Sequence, residues 1–288
     1  MKPAPFEYLC PETTAAALAM LAETNGESRI LAGGQSLVPM LNFRIARFKY
    51  LIDVNSIAEL CYIRGNDEDL RIGAVTRYRT IENSPLVASR APLLAEVTKW
   101  VGHLPIRTRG TIGGSLAHAD PAGEYAAALL ALDAEVVLQT MTATRVLKIA
   151  DFIRGMFTTA LEPDEMLVEI RIPCAKRSQF FAFDEYARRP GDLAIMGIAV
   201  RLDIEDNIVD SARIVALGCE NGAHRIIEAE ESLVGHACNT DQIEKAARAA
   251  GNVPAHSDIH ATAALRKHLA VVLSRRALTK AMASGHVR

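Results

Sequence analysis

Ala32-Gly33-Gly34-Gln35-Ser36-Leu37 and Gly110-Thr111-Ile112-Gly113-Gly114-Ser115 are the two glycine-rich stretches on which the fold of this chain depends. They lie about 80 residues apart, and each precedes a predicted helix. Glycine pairs let the backbone approach a ligand closely and direct N–H groups at it, because no Cβ intervenes. Two such loops on one small domain indicate a long, phosphate-bearing ligand held at two points, so a dinucleotide is the first candidate.

The form of the loops narrows the class of dinucleotide. The chain contains no G-x-G-x-x-G followed by an acidic residue at ribose-reading distance, and no Gly-Lys-Ser/Thr. A nicotinamide dinucleotide on a Rossmann sheet and a P-loop nucleotide site are therefore disfavoured. A flavin dinucleotide on another scaffold stays open.

Composition bounds the class of protein. With 288 residues, of which 50% are hydrophobic, the chain is long enough for two domains with a sizeable core. Its 32 Lys and Arg residues nearly balance its 34 Asp and Glu residues, so neither nucleic acid nor an anionic membrane is expected as the main partner. No apolar run approaches the ~20 residues of a membrane span. The first residues lack the apolar core of a signal peptide, so we expect a cytoplasmic protein.

The five cysteines are widely spaced, and none lies within four residues of another. Zinc and iron–sulfur sites usually include at least one close pair of cysteines. An odd number at wide spacing also disfavours a disulfide framework. We therefore expect small buried thiols and no metal bound by this chain.

Helix start signals mark two segments. Thr13 precedes an Ala/Leu-rich stretch and predicts a helix that runs to Glu23. Asp120 is expected as the N-cap of a second helix, with Pro121 at its first position, running to about Leu132.

The segment 173–178 (PCAKRS) is the best candidate for a domain boundary, because the pattern restarts after it. Three strand-like runs and then three helical runs follow, at 179–187, 193–204, 208–218, 223–233, 240–250 and 259–283. Strands followed by helices, rather than alternating with them, are typical of an α+β layer. We expect two domains, residues 1–175 and residues 176–288.

The chain resembles the FAD-binding medium subunit of the molybdenum hydroxylases, the family of carbon monoxide dehydrogenase, xanthine dehydrogenase, and the quinoline and nicotine oxidoreductases. Order and spacing match over essentially the whole chain, and the length matches a separate medium subunit. Besides the two glycine loops, the matching segments are Ile106-Arg107, Asp120-Pro121, 167–173 (LVEIRIP) and 188–194 (RRPGDLA).

The resemblance implies an α+β fold with two parts. Residues 1 to about 175 would form a PCMH-type FAD-binding domain with two subdomains. The remainder would form a small three-stranded sheet with helices, like the C-terminal domain of the carbon monoxide dehydrogenase flavoprotein.

The resemblance also implies where FAD is held. Residues 32–36 would bind the pyrophosphate through backbone N–H groups and the Ser36 hydroxyl, and residues 111–115 would form a second clamp. Asp120 and Glu124 would lie near ribityl or ribose hydroxyls; many family members have Asp at the second position, so Glu124 departs by one methylene. The implied set is Ala32, Gly33, Gly34, Gln35, Ser36, Thr111, Ile112, Gly113, Gly114, Ser115, Asp120, Glu124, Leu167 and Leu193, with no catalytic residue and no metal ligand.

Some of these residues can also be explained by a structural role alone. Asp120 is also explained as a helix cap, and Glu124 as a first-turn carboxylate favoured by the helix dipole. Leu167 and Leu193 are implied to pack near the flavin ring, but Leu193 is also explained as a core leucine. His118 is expected to be a structural histidine, and Trp100 a core residue.

The implied function is that of an electron-transfer subunit. The chain would carry FAD, accept electrons from 2Fe-2S clusters on a small subunit and pass them to an external acceptor. A large molybdopterin subunit would hydroxylate the substrate, with an N-heteroaromatic compound as the favoured class, and a dimer of heterotrimers is expected.

Two other functions remain open. One is a self-contained PCMH-type FAD oxidase or dehydrogenase, for which the C-terminal part of about 110 residues is short. The other is a non-enzymatic nucleotide-binding regulator, which flavin colour would exclude.

Overall fold

The structure, a computed structural model, describes residues 1–285. Its first layer is a parallel sheet of three strands in the order β1-β3-β2. The elements are β1 (Glu7–Leu9), α1 (Thr14–Glu23), β2 (Ser28–Leu31), α2 (Leu37–Asn42) and β3 (Tyr50–Asp53). Helix α1 begins as predicted, because the Thr13 hydroxyl accepts a hydrogen bond from the Ala16 N–H at 3.1 Å. The first glycine loop connects β2 to α2.

The second layer is an antiparallel sheet of five strands with helices packed on one face. In chain order the elements are β4 (Ile63–Gly65), β5 (Asp69–Gly73), α3 (Tyr78–Glu82), α4 (Pro85–Arg90), α5 (Pro92–Thr98), α6 (Leu104–Arg109), α7 (Ile112–His118), α8 (Glu124–Ala131), β6 (Glu135–Gln139), β7 (Thr144–Lys148), α9 (Ile149–Phe152), β8 (Ile153–Gly155), β9 (Thr158–Thr159) and β10 (Met166–Pro173). The strand order is β4-β5-β10-β6-β7, with β8 and β9 forming a separate hairpin. The second glycine loop lies between α6 and α7 and includes the start of α7.

The C-terminal part contains the three long strands predicted from the sequence. Its elements are β11 (Gln179–Tyr186), β12 (Met196–Glu205), β13 (Ile208–Leu217), β14 (His224–Arg225), α10 (Ile227–Leu233), α11 (Thr240–Ala249) and α12 (Ala263–Gly285). The antiparallel order is β11-β12-β13-β14, so a two-residue fourth strand occupies the start of the helix predicted at 223–233. Residues 286–288 of the predicted second domain lie outside the described residues.

Both faces of the C-terminal sheet are buried. Along β12, Ile198, Val200 and Leu202 face a core formed with α10, α11 and α12, whereas Ala199 faces the core of the five-stranded layer. This alternation is the two-residue period of a strand. Trp100 packs against the same inter-layer core, with its ring 6.0 Å from that of Phe183. The division at residue 175 stays a prediction, and one continuous core crosses it.

The helix predicted from Asp120 begins later than expected. Helix α8 begins at Glu124, and Asp120 is not its N-cap. Instead, Asp120 Oδ1 accepts a hydrogen bond from the Ala122 N–H at 2.9 Å, which closes a turn before the helix. The Pro121 carbonyl accepts from the Gly218 N–H at 2.8 Å, so a tertiary contact with the C-terminal sheet holds this turn. Among residues 1–285, no helix is long and apolar enough to cross a membrane.

Candidate functional site

The first glycine loop lines a cleft of about 340 Å³ at the carboxyl end of the parallel sheet. Gly33 and Gly34 line it together with Asp53 and Asn55, which end and follow β3. Arg109, the last residue of α6, also lines the cleft. The end of a parallel strand pair, the first loop and the residue before the second loop therefore meet at one place.

The first loop presents unused backbone donors. Among the described residues, none of the four consecutive N–H groups from Gly33 to Ser36 has a hydrogen-bond acceptor. Gly34 has a φ of +72°, a conformation that glycine adopts without the cost of a Cβ. Successive free N–H groups beside a left-handed residue form a concave anion site. The loop has the donors that a phosphate group requires.

The second loop uses its backbone donors within the chain. The Ile112 and Gly113 N–H groups donate to the carbonyls of Thr76 and Ala74, at 3.2 and 2.9 Å. The Gly114 N–H donates to the Thr111 hydroxyl at 3.2 Å, and the next N–H, of Ser115, donates to the Thr111 carbonyl. Contact between residues 111–115 and FAD stays a prediction. The N–H groups of residues 112–115 do not support it, because each already donates a hydrogen bond within the chain.

The two loops pack directly on each other. A Cβ added at Gly33 would overlap the Arg109 carbonyl oxygen and lie 2.8 Å from the Gly110 Cα. A Cβ at Gly114 would lie 3.8 Å from that of Ala32. Glycine is therefore required at position 33 for the two loops to pack.

Two side chains that the sequence did not single out join the loops. Asn55 Nδ2 donates to the Ala32 carbonyl at 2.8 Å, and Arg77 donates to the carbonyl of Arg109. Arg77 Nη2 also donates to Asn55 Oδ1 at 2.5 Å. Sequence reasoning missed this pair because each partner is far away along the chain. Arg109 could have been predicted as a site residue, because it directly precedes the second glycine motif in the sequence.

Asp120 and Glu124 lie close together at the start of α8. Glu124 is only 6% exposed, and burial together with the Asp120 charge raises the pKa of its carboxyl to about 7. His118 lies 4.0 Å from Asp120, and burial lowers the pKa of its imidazole. Contact of either carboxylate with a ribityl or ribose hydroxyl stays a prediction.

A second buried carboxyl faces Glu124. Glu185, on β11, is 8% exposed, and its Oε2 has no hydrogen-bond partner among the described residues. Burial, followed by the charges of Glu124 and Asp184, raises the pKa of Glu185 to about 8. No local pattern predicted this pair, because the two carboxyls come from different layers of the fold.

The two predicted flavin-ring leucines differ in exposure. Leu167 is 6% exposed in the core of the five-stranded layer. Leu193 is 70% exposed, because β12 begins only at Met196, so its interpretation as a core leucine is wrong. Gly191, in the same loop, packs against the His103 ring. Contact between these leucines and a flavin ring stays a prediction.

Comparison with known proteins identifies the family. Residues 4–175 match the model of the FAD binding domain in molybdopterin dehydrogenase, and residues 181–281 match that of the CO dehydrogenase flavoprotein C-terminal domain. The chain belongs to this family. The resemblance, the α+β fold and FAD as the cofactor of this chain are confirmed. So is its role as an electron-transfer subunit of a molybdenum-containing oxidoreductase.

Individual relatives match over nearly their whole length. The 6-hydroxypseudooxynicotine dehydrogenase complex subunit alpha of Paenarthrobacter nicotinovorans is 40% identical over 286 residues, covering 98% of this chain and 96% of that one. A chain of carbon monoxide dehydrogenase from Hydrogenophaga pseudoflava superimposes with a TM-score of 0.95 at 35% identity, covering 98% and 99%. A chain of quinoline 2-oxidoreductase from Pseudomonas putida gives 0.94 at 35% identity, covering 99% of each.

The cleft fits part of an FAD molecule. Its free N–H groups and the nearby Arg109 guanidinium match the charge and acceptor oxygens of a pyrophosphate. Its volume of about 340 Å³ is in the range of small-molecule sites. The donors of the cleft are therefore compatible with the cofactor that the matched family model names.

Proposed function

We propose that this chain is the electron-exit subunit of a three-subunit molybdenum hydroxylase, with FAD held by the first glycine loop. The observation that carries the proposal is the row of free N–H groups at Gly33–Ser36, beside Arg109, on a chain that matches the family through both of its parts. Bound FAD supplies the redox chemistry, since a flavin accepts electrons singly and releases them singly or in pairs. The chain itself binds and orients the cofactor.

The chain's own residues have supporting roles in this proposal. Backbone donors and Arg109 neutralise the pyrophosphate, while Asp120 and Glu124 accept from sugar hydroxyls. No side chain here is assigned as acid, base or nucleophile in substrate hydroxylation.

Partner subunits complete the enzyme. A small subunit with 2Fe-2S clusters delivers electrons, and a large molybdopterin subunit binds and hydroxylates the substrate. The relatives are themselves called subunits or medium chains of such dehydrogenases, which supports this division of labour. We further propose assembly as a dimer of heterotrimers; a cytoplasmic location stays a prediction of the sequence.

A self-contained oxidase is disfavoured by the C-terminal part. Such an enzyme needs a substrate pocket of its own next to the flavin. In the described residues, one face of the C-terminal sheet packs on the five-stranded layer and the other on its helices. The sheet therefore has no free face from which to form a pocket.

An N-heteroaromatic compound is the proposed substrate class of the complex. It is supported by relatives whose names include 6-hydroxypseudooxynicotine and quinoline, although carbon monoxide dehydrogenase is also similar. The test is anaerobic addition of each compound to the oxidised complex, followed by flavin absorbance. We expect bleaching with a pyridine or quinoline compound and none with carbon monoxide. Bleaching by carbon monoxide alone would exclude this substrate class.

A further inference from the structure

The cleft beside the first glycine loop has a net positive charge, because the nearby carboxylate does not neutralise both of its arginines. The Arg109 guanidinium has neither a hydrogen bond nor an ion pair within residues 1–285, and Arg77 donates only to neutral oxygens. The two guanidinium groups are close: burial and then the Arg109 charge lower the pKa of Arg77. The Asp53 charge acts in the opposite direction and raises the pKa of Arg77, but one carboxylate beside two guanidinium groups leaves a field that favours binding of an anion.

The nearest carboxylate is already engaged. Asp53 Oδ2 accepts from the Tyr8 hydroxyl at 2.5 Å, a bond that raises the pKa of Tyr8 to about 12. Asp53 Oδ1 accepts from the N–H and the Nδ2 of Asn55, at 2.8 and 2.5 Å. Asp53 forms no ion pair with either arginine and supplies one negative charge beside two positive ones, so a net positive charge remains in the cleft.

A continuous chain of hydrogen bonds connects this carboxylate to both loops. Asp53 fixes the Asn55 amide, which donates to the Ala32 carbonyl at 2.8 Å. Asn55 Oδ1 accepts from Arg77, which also donates to the Arg109 carbonyl. Neither contact uses the Arg109 side chain, so its guanidinium stays available while its backbone is fixed.

We propose that Arg109 donates hydrogen bonds to the FAD pyrophosphate and that Asn55 and Arg77 are positioning residues that hold it against the first glycine loop. A pyrophosphate diester carries two negative charges, and a guanidinium presents paired donors that match phosphate oxygens. The free N–H groups of Gly33–Ser36, which line the same cleft, bind the same group. This inference rests on the proposed function, because it requires that the cleft hold FAD.

The test is equilibrium binding of FAD and of ADP to the deflavinated complex, for the wild type and for Arg109→Gln. Loss of a charged hydrogen bond predicts binding weaker by about 10- to 100-fold for both ligands, since both carry the pyrophosphate. Arg109→Lys is expected to recover part of that affinity. Arg177→Gln is the matched control, because Arg177 is exposed and lies outside the cleft.

Salt separates a charge contact from a packing defect. The ratio of the Arg109→Gln to the wild-type dissociation constant is expected to shrink in 1 M KCl, where the Debye length is about 3 Å. Asn55→Ala and Arg77→Gln are each expected to weaken FAD binding, and the double variant to be no weaker than the worse single one, because they act as one unit. The effect of Asn55→Ala is expected to be independent of salt, since Asn55 is neutral and acts through loop position, whereas Arg77→Gln also removes a positive charge from the cleft.

The outcomes distinguish this inference from the proposed function. If wild type binds FAD and Arg109→Gln binds it equally well, the Arg109 assignment is overturned while the flavin-subunit function stands. A 10- to 100-fold loss that persists unchanged in 1 M KCl would also overturn it, because it would indicate disturbed packing. If wild type binds neither FAD nor ADP, the proposed function itself fails.

Discussion

Replacing Gly33 by valine is expected to abolish FAD binding while leaving the rest of the chain folded. A Cβ at this position overlaps the Arg109 carbonyl and crowds the Gly110 Cα, so the two loops must move apart. The row of free N–H groups would then no longer face Arg109. Flavin content after purification of the complex, measured from its visible spectrum, is expected to fall to near zero. Substrate should still reduce the molybdenum and iron–sulfur centres of the complex, but the electrons should not reach an added acceptor.

Gly65→Val is the matched control for this change. Gly65 is exposed at the end of β4, and a Cβ there would meet its neighbours only at ordinary contact distances of 3.4 to 3.6 Å. This variant is expected to retain full flavin. Full flavin in Gly33→Val would show that the first loop is not the FAD clamp.

The same substitution at Gly113 is expected to act by a different route. From the sequence, valine at Gly33 or Gly113 is expected to intrude on phosphate. The structure places the Gly113 position against Ala74 instead, with the added Cβ 2.6 Å from the Ala74 side chain and 2.7 Å from its carbonyl oxygen. Overpacking of this kind typically costs about 1–3 kcal/mol. Gly113→Val should therefore lower the melting temperature of the flavin-free chain by displacing α7 from Ala74, whereas Gly33→Val should displace the two glycine loops from each other.

Stability of the chain is expected to fall as pH rises from about 4.5 to about 8, and Glu185→Gln is expected to remove much of that fall. Folding raises the pKa of Glu185 from 4.5 to about 8, so the proton stabilises the folded chain. This contribution is complete below pH 4.5 and is lost as pH rises through about 8. Glu124, with its pKa raised to about 7, acts in the same direction.

Thermal melting of flavin-free wild type and variant at pH 5.5 and pH 9 tests this effect. A contribution on the order of 2 kcal/mol corresponds to roughly 5 °C in a protein of this size. The melting temperature of Glu185→Gln relative to wild type is therefore expected to rise by roughly that amount between the two pH values. Glu12→Gln, at an exposed position, is the control and should show no such change. Parallel pH profiles for wild type and Glu185→Gln would contradict a raised pKa for Glu185 in the folded chain.

Features encoded by local pattern were predicted correctly from the sequence. The Thr13 cap depends on residues three apart, and the long C-terminal strands depend on alternation along the strand. The helix expected after Asp120 is present, but its expected start was wrong, because the turn at 120–123 is held by a hydrogen bond from Gly218. A helix start signal is local in sequence, so it does not show that an N–H group of the C-terminal sheet bonds this turn.

The polar groups around the cleft depend on contacts between distant residues. Asn55 bonds a carbonyl 23 residues earlier in the chain, and Arg77 bonds one 32 residues later. Glu124 and Glu185 meet only because the C-terminal sheet packs on α8. The sequence of the second glycine loop likewise does not show that its backbone N–H groups are bonded within the chain, because its glycine pattern resembles that of the first loop.

The most direct measurement is the cofactor content of the complex that purifies with this chain. We expect FAD on this chain, with about four irons and one molybdenum per FAD in the complex, because two 2Fe-2S clusters and one molybdopterin centre are expected on its partners. Flavin without metals or partners would contradict the electron-exit function and favour a self-contained flavoenzyme. A complex that contains molybdenum and iron but no flavin, after checking that none was lost in purification, would contradict the assignment of the cleft itself.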